Sequence, residues 1–259
     1  VKADKTVALG YGKQGLFLFP GREYAGEVVV EDISLPKEAE EILDNPTIWV
    51  DEEYIRRQMP PIMTDCHKGS FGHVLTMAGS RGMMGAALLA ARGVMRSGAG
   101  LVTSGVPDSL SAGFNLAFPE GMTLGLVEDG QGGLDLTVAE QIKRNLEGKE
   151  AFLAGPGLKQ HENLPLILEQ ILSETKVPAV LDAGALWAIS DNPDICRKAE
   201  GELILTPHPG ELALMLKTTA AQIQKDRCAS ALQAAKEYNA VVVLKGAGTV
   251  IADPQGHLL

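Results

Sequence analysis

Six short apolar runs recur along the chain, at residues 74–78, 101–104, 151–154, 179–181, 202–206 and 241–244, with helical stretches between them. Continuous runs of this kind mark strands buried on both faces, because a strand with one wet face alternates polar and apolar side chains. Helical patterning predicts helices at 85–97, 137–147, 164–174 and 219–238, the last opening on Thr219, whose hydroxyl suits an N-cap. Strand, helix, strand in repetition predicts βαβ units. The expected fold is therefore α/β, a largely parallel sheet with helices on both faces.

Five of these runs stop abruptly, in Gly79-Ser80, Gly155-Pro156-Gly157, Asp182-Ala183-Gly184, Thr206-Pro207-His208 and Lys245-Gly246. In an open parallel sheet such ends converge on one edge, where a ligand crevice is expected. In Lys245-Gly246-Ala247-Gly248-Thr249 the two glycines let backbone N–H groups turn toward an anion. Lys245 adds a point charge and Thr249 a hydroxyl donor, although the spacing is not that of a GxxxxGK[ST] phosphate loop. The same string also reads as a plain strand-turn-strand, with 250–253 as the second strand. In Thr206-Pro207-His208-Pro209-Gly210-Glu211 the prolines hold Thr206 and His208 extended, and Pro209 opens a helix running from Glu211 to Lys217. Free backbone donors in its first turn suit an anion, and a well-capped turn bearing a surface histidine reads equally well.

With 259 residues, 45% of them hydrophobic, the chain can bury a full core as one large domain or one domain plus an appendage. A net charge of −10 argues against general nucleic-acid binding, so an anionic ligand has to be held by local donors. Cys66, Cys196 and Cys228 are odd in number and contain no CxxC, which fits a reducing, cytoplasmic compartment. The five histidines lack metal-ligand spacing, so no metal site is expected from protein side chains. Arg92 interrupts the apolar stretch at 86–91, which reads as a helix of a non-membrane protein. Residues 1–36 read as short strands punctuated by glycine and proline, and 37–60 as a linker with one helix at 51–58. The opening Val1 suggests a fragment or processed piece.

Several strings occur together and in order: His67-Lys68-Gly69-Ser70-Phe71-Gly72-His73, Gly79-Ser80-Arg81-Gly82-Met83-Met84-Gly85-Ala86, Ser97-Gly98-Ala99-Gly100-Leu101, Gly155-Pro156-Gly157-Leu158, Leu181-Asp182-Ala183, and the TPHPGE and LKGAGT loops. In this the chain resembles the ADP-dependent NAD(P)H-hydrate dehydratases over roughly residues 60–259. The resemblance implies a ribokinase-like fold, ADP as co-substrate with Mg2+, and a repair reaction on NADH hydrate and NADPH hydrate. It places Lys245, Gly246, Ala247, Gly248 and Thr249 on ADP, and Ala86, Gly157 and His208 on the hydrated nucleotide. A small Ala86 lets a ring approach the backbone, Gly157 removes a side chain beside a pyrophosphate, and His208 can donate to phosphate or hydroxyl. The KGSFG string around Lys68 resembles a motif closing the same crevice.

Residues 1–36 resemble the C-terminal tail of the epimerase domain often fused ahead of such dehydratases, which implies a bifunctional parent. The expected organisation is this tail at 1–36, a linker at 37–60 and a C-terminally incomplete dehydratase domain at 61–259. The resemblance also implies a homo-oligomer with no membrane or nucleic-acid partner. Two departures stand out. The family's GTGD turn, carrying its principal catalytic aspartate, lies beyond Leu259, so the catalytic residue is unassigned, and Gly184 stands where the family has a second acid. Two alternatives remain open: a small-molecule kinase of the ribokinase superfamily, and a noncatalytic nucleotide-binding module.

Overall fold

The structure, a computed structural model, describes residues 1–36, 38, 46–61 and 64–259. Near the N-terminus, β1 (Lys5–Leu9) and β2 (Glu27–Glu31) pair in parallel, joined through the short helices α1 (Gln14–Phe17) and α2 (Arg22–Ala25). The helix expected at 51–58 is α3 (Glu52–Gln58), fixed by Asp51, whose carboxylate accepts from the N–H of Tyr54 at 2.7 Å. Part of the expected linker, residues 37 and 39–45, lies outside the described residues.

The remainder is built on eight strands, β3 (His73–Met77), β4 (Leu101–Pro107), β5 (Met122–Leu126), β6 (Ala151–Ala154), β7 (Ala179–Leu181), β8 (Leu203–Leu205), β9 (Val241–Leu244) and β10 (Val250–Ala252). Their order is β10-β9-β8-β7-β6-β3-β4-β5, and every pairing is parallel except that of β10 with β9. Around them lie α4 (Met84–Arg96), α5 (Asp108–Ala117), α6 (Val138–Leu146), α7 (Asn163–Glu174), α8 (Gly184–Ile189), α9 (Asp194–Arg197), α10 (Pro209–Met215), α11 (Ala220–Lys225) and α12 (Arg227–Tyr238). Among the described residues the buried apolar side chains form two cores. The smaller gathers Ala87, Ala91, Val102, Val106, Phe114 and Phe118 beneath α4 and α5, and the larger gathers the apolar faces of α6, α7, α8 and α12. In α7 the buried residues are Leu164, Ile167, Leu168, Ile171 and Leu172, one stripe of a helix. Each contributes about 1.5–3 kcal/mol of burial.

Three local differences from the sequence reading have physical reasons. The helix expected over 219–238 is two helices, because Asp226 turns out of the helical conformation and accepts from the N–H of Ala229, so α12 begins with its own cap. The helix after TPHPGE starts at Pro209 and ends at Met215, since Lys217 adopts a left-handed φ of 52°. Neither α5 nor β5 stands out in the sequence pattern, since serine and glycine dilute it in α5, and threonine and glycine in β5. Among the described residues no helix is long and apolar enough to cross a membrane. Cys66, Cys196 and Cys228 are unpaired thiols, and burial pushes Cys196 up to about 12.

Candidate active site

Strands β9, β8, β7, β6 and β3 are contiguous and parallel, so the loops leaving their C-terminal ends meet on one edge of the sheet. The order reverses at β3, which has β6 on one side and β4 on the other, and the crevice opens there. It consists of two adjoining cavities of 540 and 830 Å3 that share Met83, Leu158 and Lys159 as walls. Gly157, Gly184, Trp187, His208 and Glu211 line the first. Ser80, Arg81, Glu128, Gly130, Gly133 and His161 line the second, where Ser80 Oγ is buried without a hydrogen-bond partner among the described residues.

The 245–249 loop is the connection between β9 and β10, so it is a strand-turn-strand and a loop at the ligand edge at once. Its glycines adopt the backbone only glycine takes readily, with φ of 145° at Gly246 and 72° at Gly248. The N–H of Lys245 donates to Pro207 O at 2.9 Å, which seats this loop beside the TPHPGE loop. Its ammonium donates to Asp182 Oδ1 at 2.7 Å and stands 4.0 Å from Glu211 Oε2. Thr206 Oγ1 donates to the same Asp182 oxygen at 2.9 Å. The lysine therefore has a carboxylate partner within the protein and is held at the junction of loop and cavity. Thr249 Oγ1 donates to Gly246 O at 3.0 Å and closes the turn.

His208 is the N-cap of α10. Its Nδ1 accepts from the N–H groups of Gly210 at 3.0 Å and Glu211 at 3.2 Å, while Glu211 Oε2 accepts from the N–H of His208 at 2.8 Å, a reciprocal capping box. A ring nitrogen that accepts carries no proton, so the neutral ring bears its proton on Nε2. Nε2 lies 3.6 Å from Glu211 Oε1, too far for a hydrogen bond, and remains a donor at the cavity wall. The TPHPGE loop is thus the capped turn, which also presents a histidine to the crevice, and the first-turn N–H groups expected to be free for an anion are taken by the His208 ring.

Gly157 and Ala86 meet one another: a Cβ on Gly157 would stand 2.8 Å from Ala86 Cβ and 2.8 Å from Met83 O. What excludes a side chain at Gly157 is the start of α4, and the backbone of Gly157 then lines the cavity with Ala86 behind it. Gly184 is constrained likewise, since a Cβ there would stand 2.7 Å from Leu158 O. Lys68 is elsewhere. The KGSFG string forms a 3-10 turn (Lys68–Phe71), capped by His67, and packs on Gly100 before β3 and β4 begin. It occupies the opposite edge of the sheet and closes nothing over the crevice, because a motif leading into a parallel strand sits at that strand's N-terminal end.

One residue with no motif of its own also reaches the site. Arg227, only 7% exposed, donates from Nε to Gly248 O at 3.1 Å, from Nη1 to Gln224 Oε1 at 2.7 Å, and from Nη2 to Leu244 O at 2.8 Å and Lys245 O at 3.2 Å. Burial holds its pKa below the usual arginine range. The available signal was an arginine just after a capping aspartate, facing the apolar side of a helix.

Among the described residues no group of three or more His, Cys, Asp or Glu is arranged to hold a metal ion. Asp182 and Glu211, both beside Lys245, fit a Mg2+ that nucleotide phosphates bring with them, since that ion commonly takes one or two carboxylates together with phosphate oxygens.

Residues 74–259 match the NAD(P)H-hydrate dehydratase family. The bifunctional NAD(P)H-hydrate repair enzyme Nnr of Moorella thermoacetica is 36% identical over 258 residues, covering 100% of this chain and 49% of that protein. The chain thus spans about half the length of the bifunctional relatives it matches. Among solved structures, the ADP/ATP-dependent NAD(P)H-hydrate dehydratase of Bacillus subtilis, co-crystallised with ATP and Mg2+, superposes with a TM-score of 0.68 at 35% identity, over 83% of this chain and 72% of that one. A ribokinase-like superfamily protein of Enterococcus faecalis superposes with a TM-score of 0.63 at 20% identity, over 79% and 68% of the two chains, and shares the fold.

Proposed function

The chain belongs to the NAD(P)H-hydrate dehydratase family, and from that premise we propose that it binds ADP on the 245–249 loop and NADH or NADPH hydrate in the adjoining crevice, for ADP-dependent dehydration of the hydrate. One observation carries the assignment: Lys245 joins the loop to the crevice, with its amine 2.7 Å from Asp182 and 4.0 Å from the cavity-lining Glu211. An anion on the loop and a hydroxyl near His208 are then neighbours. In the reaction the hydrate hydroxyl oxygen bonds to the β-phosphorus of ADP as the bond to AMP breaks. The hydroxyl proton is lost to a base, and the new phosphate ester then leaves as inorganic phosphate, its carbon–oxygen electron pair departing with it and the ring nitrogen lone pair restoring the dihydronicotinamide once a ring proton is released.

Residues 1–259 supply binding and orientation. Lys245 neutralises phosphate charge, the 246–249 backbone donates to phosphate oxygens, and His208 Nε2–H donates to the substrate. Mg2+ bound with the nucleotide would offset phosphate charge beside Asp182 and Glu211. The general base is assigned to the family's GTGD aspartate, outside this sequence. On the same reading residues 1–36 are an epimerase-type tail, 37–60 a linker and 61–259 the dehydratase unit, in a cytoplasmic homo-oligomer.

The test compares residues 1–259 with a version extended through a GTGD turn. Each is supplied with NADPH hydrate and ADP, and recovery of dihydronicotinamide absorbance is followed. The expected result is binding by both and rapid recovery by the longer chain alone. Phosphorylation of an alcohol such as pyridoxal from ATP, without hydrate repair, would make the protein a small-molecule kinase, and ADP binding with no turnover in either length would make it a binding module.

A further inference from the structure

We propose that Arg227 is a positioning residue for ADP, turning the backbone of the 245–249 loop so that its donors face the phosphates. The proposal rests on the reading of that loop as the ADP site. A guanidinium 7% exposed, with no carboxylate paired to it among the described residues, is an expensive group to bury, and it persists here because four of its five N–H donors are taken up, by three backbone carbonyls and one side-chain amide. All three carbonyls, of Leu244, Lys245 and Gly248, belong to the strand end and the loop.

A planar trans peptide links each carbonyl to the next N–H pointing the opposite way. Fixing Lys245 O and Gly248 O on Arg227 therefore turns the N–H groups of Gly246 and Thr249 away from it, on residues whose other side is exposed. Fixing Leu244 O does the same for the N–H of Lys245, which meets Pro207 O at 2.9 Å. The result is a turn with its acceptors inward on one cation and its donors outward, the polarity an anion site requires. Gly246 completes the fit, since a Cβ there would stand 3.2 Å from Arg227 Nη2 and 3.3 Å from Nη1. The buried charge also lies directly behind those donors, where little solvent screens it.

The fork, and not the charge alone, sets the loop geometry, so Arg227→Lys is the informative change: it keeps a cation and removes the multi-point contact. Binding of ADP and of adenosine, which lacks phosphate, is measured by calorimetry on the wild type and on Arg227→Lys, at a temperature where both are folded. Gln224→Ala, which frees only Nη1 from an exposed partner, serves as a milder second variant. The expected result is an ADP affinity about ten-fold or more weaker in Arg227→Lys, a smaller loss in Gln224→Ala, and adenosine affinity unchanged in both. Equal losses for ADP and adenosine would show a merely structural arginine and overturn the proposal. So would wild-type ADP affinity in Arg227→Lys or, should that variant not fold, in Gln224→Ala. A wild-type protein that binds adenosine no less tightly than ADP would refute the loop assignment itself, a result distinct from either of those.

Discussion

Replacing Lys245 by alanine separates a binding role from a structural one, because the two differ in size. In the folded protein its amine donates to Asp182 at 2.7 Å, with the lysine side chain 42% and the aspartate 26% exposed. A pair this open to solvent contributes only about 0.2–1 kcal/mol to stability. Asp182 also keeps the hydroxyl of Thr206, so its loss of a partner is incomplete. For a chain of this size that corresponds to a fall in Tm of no more than about 4 °C. Toward ADP the change is larger, since a charge-assisted contact to phosphate is worth about 1.5–3 kcal/mol, roughly ten- to a hundred-fold in affinity. Without the ammonium, Asp182 and Glu211 face the incoming phosphates uncompensated, which acts in the same direction. The assay is calorimetric titration with ADP beside thermal denaturation of the same preparation. An ADP affinity equal to wild type would refute the placement of phosphates at Lys245, and a Tm loss well beyond that range would show the residue to be chiefly structural.

Three further outcomes are expected. His208→Ala should cost about 0.5–2 kcal/mol through loss of the α10 cap, whereas His208→Asn, itself a good cap, should recover the stability but not KM for the hydrate; denaturation and KM measured on both variants check this. Gly157→Ala should destabilise by about 1–3 kcal/mol because its methyl meets Ala86 and Met83 O, and adding Ala86→Gly should restore only part, since Met83 O and the φ of 70° remain; melting curves of the single and double variants decide it. The third concerns acid. Burial pushes Asp129 up, but the N–H groups of Gln131 and Gly133, with His161 and Lys159 nearby, outweigh it and hold the carboxyl below its ordinary range. A carboxylate lowered on folding contributes stability above its unfolded pKa of 3.8 and loses it as pH falls through the lower folded value. The 130–133 turn beside the larger cavity should therefore begin to loosen below about pH 4, and the stability difference between wild type and Asp129→Asn should shrink from there as pH falls and be gone below the lowered folded value; a difference that stays constant through this acid range would contradict the assignment.

The sequence by itself determined the layer order and the edge on which the candidate site lies. Runs apolar at every position, such as 241–244 and 151–154, can be satisfied only with a helix on each face, and parallel strands bring all their C-terminal loops to one side. Local chemistry was legible too: Gly246 and Gly248 took positive φ, and the two prolines fixed the turn that His208 caps. Strand order and long-range partners were not. Nothing along the chain says that Asp182 waits for Lys245, 63 positions away, or that Arg227 closes on the carbonyls of Leu244, Lys245 and Gly248. The KGSFG turn went to the wrong edge for the same reason: a motif's string does not say which end of its strand faces the ligand. Secondary structure follows from periods of two to four residues, which a linear sequence displays. The pairing of a buried charge depends on which loops the packed sheet brings within about 3 Å, and that distance exists only once the chain has folded.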